Sequence, residues 1–89
     1  MKAVITVTGK DTVGIIADVA NVCAKHNANI LDITQSVLGE YFAMIMLVDL
    51  DACPLPFHEL QNWLHEKGQE RLLYIHIQRS DIFEAMHRI

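Results

Sequence analysis

Basic residues are scarce in this chain of 89 residues, with seven lysines and arginines against eleven aspartates and glutamates. The net charge is -4 and no basic run occurs, so nucleic acid is excluded as a direct partner. Long hydrophobic runs are absent too. The longest, Tyr41 to Val48, is far short of the roughly 20 residues that span a bilayer, so no membrane partner is expected. The chain opens Met1-Lys2 and passes straight into a strand-like run, so no leader is expected. There are two cysteines, Cys23 and Cys53, without motif spacing; they read as reduced thiols and fit a cytoplasmic protein. With four glycines and two prolines there is no linker or low-complexity segment, and residues 1–89 are expected to form one domain. Hydrophobic residues make up 52% of the chain, which excludes a disordered one.

The residues of familiar catalytic and cofactor sites are missing as well. Gly9 and Gly14 have the spacing of a phosphate loop, but Ile15 and Ile16 stand where lysine and a serine or threonine should follow. His58 and His65 lie seven apart with no HExxH pair, so no zinc site is expected. Asp49 and Asp51 could begin a calcium loop, yet its glycine and distant glutamate are lacking. No nucleophile with an adjacent base can be picked out. The chain is expected to be neither an enzyme nor a carrier of a metal or cofactor.

What is present is a regular alternation of element patterns. Lys2 to Thr8 alternates with a period of two, placing Ala3, Ile5 and Val7 on one face of a strand. Gly9 to Gly14 forms a tight turn into a helix that runs to about His26. Thr12 is expected as its N-cap, and Asn27 as a left-handed stop. The helix shows a broad apolar face of Ile15, Ile16, Val19, Ala20, Val22 and Cys23. A second strand spans Asn29 to Leu38, where Ile30 and Ile33, three apart, require a bulge near Leu31-Asp32 to share a face. Gly39-Glu40 turns into a third strand, Tyr41 to Leu50, apolar on both faces and therefore central. A second helix carries Phe57, Leu60 and Leu64, with Trp63 flanking, and Gly68 is expected to end it. A fourth strand, Arg71 to Gln78, puts Leu73, Ile75 and Ile77 on one side. Ser80 opens a short last helix holding Ile82, Phe83, Met86 and Ile89 on one side.

This order, βαββαβ with a short C-terminal helix, predicts an α+β ferredoxin-like fold. Its four-stranded antiparallel sheet carries two helices on one face. The other face must be covered by the last helix, a second subunit, or both. The acylphosphatase version of this fold needs an arginine in the first loop, where only Lys10 is found.

Two stretches carry a further pattern: Val4 to Ile16 through Asp11-Thr12-Val13-Gly14, and Asn29-Ile30-Leu31-Asp32-Ile33. Together with the element order they resemble the ACT-domain family over essentially the whole chain, above all its short stand-alone bacterial members. The family's first loop reads Asp-x-Pro-Gly; here Val13 takes the place of the proline. The resemblance implies a regulatory domain that binds a small molecule, usually an amino acid, between two ACT domains, with an unidentified protein under its control. It implies binding by the loop Asp11, Thr12, Val13 and Gly14 and by the pair Asn29-Ile30, with the asparagine often reaching from the partner subunit.

The residues suit that role on physical grounds. Free amides at the start of the first helix favour a carboxylate. Asp11 either accepts an α-ammonium or simply favours the helix start; Asn29 either bonds a ligand or merely follows a helix stop. Gly14 serves positive φ, close packing or close approach of a ligand. Two functions follow: a homodimeric amino-acid sensor, or a protein–protein interaction and dimerisation module that needs no ligand.

Overall fold

A computed structural model describes residues 1–87, with side chains to residue 84. Strand β1 spans Lys2–Lys10, helix α1 Ile15–Lys25, β2 Asn29–Leu38, β3 Tyr41–Asp49, helix α2 Phe57–Arg71, β4 Leu73–Arg79 and helix α3 Ser80–His87. The sheet is antiparallel with strand order β2-β3-β1-β4. The expected ferredoxin-like arrangement is thus what the chain adopts. β3, apolar on both faces, is interior as its sequence requires.

Register divides the sheet into two faces. Ala3, Ile5 and Val7 pair with Val48, Met46 and Met44 on one side. Ile5 and Val7 also pair with Ile77 and Ile75 on the other. These residues form the buried core with Ile15, Val19, Val22 and Cys23 of α1 and Leu60 and Leu64 of α2. On the opposite face α3 lies against β1 and β4, and Val4 is buried there. Ile45 and Tyr41, also on that face, remain exposed. Ile82 of α3 is exposed too; the side chains of Met86 and Ile89, placed on the same side by the sequence, lie outside the described residues.

The bulge in β2 falls where expected, with Ile30 opposite Val48 and Asp32 opposite Leu47. Ile33 then pairs with Met46, on the core side. It is nevertheless 39% exposed, because β2 is an edge strand that the helices do not roof over. The broad apolar face of α1 divides in the same way. Ile15, Val19, Val22 and Cys23 are buried, whereas Ile16 is exposed and Ala20 half-buried.

Several expectations are corrected. The N-cap of α1 is Gly14, not Thr12; Gly14 holds a left-handed conformation, φ 88° and ψ 8°, and no side chain caps the helix. Gly68 does not end α2. It is buried inside the helix, which continues to Arg71 and stops at Leu72 in a left-handed conformation, φ 57°. β4 accordingly starts at Leu73 rather than Arg71, and β1 runs on to Lys10 rather than stopping at Thr8. The reason at Gly68 is packing: a Cβ there would meet the Leu73 carbonyl oxygen at 2.7 Å and Ile75 Cγ1 at 3.2 Å. Asn27 behaves as expected, with φ 57°. Its amide donates to the Ala24 carbonyl and that of Ala28 to the Cys23 carbonyl, the paired bonds of a Schellman stop.

Candidate functional site

The β1–α1 loop leaves the sheet where Lys10 pairs with Tyr41. The Asp11 amide donates to the Glu40 carbonyl at 2.7 Å, which ties the loop to the β2–β3 turn. The Gly14 carbonyl accepts the first helical bond, from the Asp18 amide at 3.0 Å. The loop's residues, Asp11 to Gly14, are all exposed, Val13 to 95%. An apolar side chain so fully in water contributes nothing to the core. The amides that follow Gly14 lie at the positive end of α1, a setting that favours an anionic group.

Sequence reasoning missed the residue that holds this loop. Arg71, in the last turn of α2, donates from Nη2 to Thr12 Oγ1 at 3.1 Å and to the Val13 carbonyl at 2.7 Å. Its Nη1 lies 3.1 Å from Asp18 Oδ2 in α1. The Thr12 hydroxyl, expected to cap the helix, is an acceptor for this guanidinium instead. Arg71 is 59 residues from Thr12 in sequence; no local pattern could have paired them.

Asn29 and Ile30 lie elsewhere. Asn29 pairs with Asp49, and Asp49 with Lys2, at the opposite end of the sheet from Lys10. At about 3.3 Å per residue along β1 the two ends are about 26 Å apart. One chain therefore does not bring the loop and Asn29 together. Asn29 is exposed beside an open depression formed with Ala20, Ala24, Ala28 and Ala52. Ile30 is half-buried and packs on the core cluster.

Among the described residues two groups outside these segments are electrostatically perturbed. Cys23 is buried and its thiol is pushed up to about 11, by desolvation first and then by Cys53. The Asp51 carboxyl is held below its usual value mainly by a hydrogen bond with, and the charge of, the N-terminal ammonium. Among the described residues no cluster of three or more His, Cys, Asp or Glu side chains could hold a metal ion. No described helix is long and apolar enough to cross a membrane.

The family model for the ACT domain matches residues 2–78. The chain belongs to the ACT-domain family. A UPF0237 protein of Listeria innocua is 46% identical over 89 residues, covering the whole of both chains. An ACT domain protein from Streptococcus pneumoniae has a TM-score of 0.83 at 46% identity, covering 98% of each chain. The ligand-free regulatory subunit of aspartate kinase from Thermus thermophilus has a TM-score of 0.67 at 24% identity, with 86% of this chain and 50% of that one covered. At that identity the likeness is one of fold. As an ACT domain the chain is thus similar to short proteins of its own length.

Proposed function

We propose that this ACT domain is a non-catalytic, cytoplasmic regulatory module that binds a small molecule, an amino acid in the first instance, as a homodimer. The whole chain, residues 1–89, acts as one such domain. The ligand is held by the Asp11-Thr12-Val13-Gly14 loop of one protomer, through the amides of Val13 and Gly14, and by Asn29 of the other, with Ile30 supporting the strand beneath it. The observation that carries this reading is the separation of Asn29 from the loop. A site that uses both segments needs a second copy.

The outer edge of β2 supplies a route to that copy. β2 has ten residues, Asp32 as its single charge and no proline, so nothing in it blocks pairing with another strand. A two-fold axis pairing β2 antiparallel with its copy carries Asn29 of one chain to the end of the sheet where the other chain's loop lies. The same axis brings the two α1 helices side by side. Ile33 and Val37 of β2, 39% and 54% exposed, and Ile16 of α1 would then be covered. The small side chains of Ala17, Ala20 and Ala24 allow the helices to approach closely. The depression beside Asn29 would receive the partner's loop.

The deciding experiment is a thermal-shift screen against the twenty amino acids, with the oligomeric state followed by light scattering. A ligand at 100 times its Kd should add about 2.7 kcal/mol, which moves the midpoint of a domain this size by about 10–20 °C. Asn29→Ala should abolish that shift and leave the unliganded midpoint within a few degrees. A dimer that no amino acid stabilises would instead favour the reading of a ligand-free interaction module.

A further inference from the structure

The angles of Gly14, φ 88° and ψ 8°, are those of the third residue of a type II turn. A type I turn over the same residues would give it φ near -90°, which glycine adopts as readily. The two forms differ by a flip of the Val13–Gly14 peptide plane. In a trans peptide the carbonyl and the N–H point in opposite directions, so the flip reverses where the Gly14 amide points. Nothing in the exposed Val13 side chain selects between them.

We propose that Arg71 makes the selection and is the positioning residue of the β1–α1 loop. Its bond to the Val13 carbonyl, at 2.7 Å, holds that oxygen toward α2 and so turns the Gly14 amide away from it. The bond to Thr12 Oγ1 fixes the preceding residue, and Asp18 anchors the guanidinium from α1. A planar fork with several donors is what allows one side chain to serve three acceptors; a lysine ammonium on a flexible stem does not match them together. This rests on the reading of the loop as the ligand site: the peptide that Arg71 fixes is the one whose amide would meet a carboxylate. It also ties that peptide to the end of α2, so a disturbance of α2 reaches the site.

The test is nitrogen-15 relaxation on the full chain, as wild type, Arg71→Met, Arg71→Lys, Thr12→Val, and Arg71→Met combined with Val13→Pro. In wild type the order parameters of Val13 and Gly14 should stand near about 0.85. Both Arg71 variants should drop below about 0.6 at these two residues and shift the Gly14 amide resonance, with β1 and β3 resonances unmoved. Thr12→Val removes that bond but leaves the one to the Val13 carbonyl, so the Gly14 resonance should keep its wild-type position. Proline at position 13 sets the φ of the second residue, a value the two turns share, so without the arginine it should not restore the wild-type Gly14 shift. Order and shift at Gly14 that survive in both Arg71 variants would overturn the proposal. So would a loss confined to global stability with the loop unchanged. Each of the twenty amino acids is titrated into the wild type in the same spectra. If none moves the Val13 or Gly14 resonances, the ligand reading fails, while the assignment of Arg71 to the turn stands or falls on the relaxation data. If one does bind, Arg71→Met should weaken it at least tenfold.

Discussion

Gly14 takes the positive φ that was one of the three roles left open by its sequence. Its φ of 88° lies in the left-handed region, and among the described residues a Cβ would approach only the Arg71 guanidinium, at 3.6 Å. Space is available; conformation is not. Gly14→Ala should therefore lower unfolding stability by about 1–2 kcal/mol, read as a shift in urea midpoint at constant slope, with or without an added amino acid. The two thiols make a second test at this scale. Cys23 is buried and pushed up to about 11, whereas Cys53 is half-buried. Because the thiolate is the reactive form, a disulfide reagent at neutral pH should modify Cys53 in the native protein and Cys23 only on unfolding. The same shift sets a pH dependence. Cys23 holds its proton more tightly folded than unfolded, so its contribution is intact below pH 9 and lost as pH rises from 9.0 to about 11. Replacing Cys23 with serine should flatten the stability curve in that alkaline window.

At the scale of elements, the end of α2 shows how far local rules reach. A glycine followed by polar residues reads as a helix stop, and Gly68 has those neighbours. Yet the helix passes through it because β4 lies so close that only glycine fits. Gly68→Ala gains about 1 kcal/mol in helix propensity. It must also move the Leu73 carbonyl, 2.7 Å from the new Cβ. Such crowding costs about 1–3 kcal/mol, so thermal melts should show net destabilisation, against the propensity scale. Leu72 is the converse case. It takes the left-handed stop, φ 57°, that glycine would hold more easily, and its side chain is 88% exposed. Leu72→Gly should raise stability, by up to about 1 kcal/mol, since almost no buried surface is lost. The strands and the Asn27 stop were legible because their signals are local: alternation of period two, and an asparagine tolerant of positive φ. The helix boundaries at Gly14 and Leu72 were not, because Arg71 and β4 set them from a distance.

For the whole molecule, Ile33 and Val37 are exposed on β2, an edge strand, and Ile16 is exposed on α1. Substituting Val37 with arginine places a charge at that edge without touching the core. If the proposed homodimer pairs through this edge, light scattering should then give a monomer, with thermal stability at micromolar concentration independent of concentration. A Val37→Arg protein that remained a dimer would place the interface elsewhere. The sequence by itself determined the order of the elements, most of the residues that face the core, the β2 bulge and the family. Each of these is written in short-range periodicity and in chemistry carried by neighbouring residues. Only the tertiary structure decided that Arg71 holds the first loop, that Gly68 is a packing residue, and that the loop and Asn29 stand at opposite ends of the sheet. Those facts depend on which strands become neighbours and in which direction they run, and that is settled by burial of the core as a whole, not by any one segment.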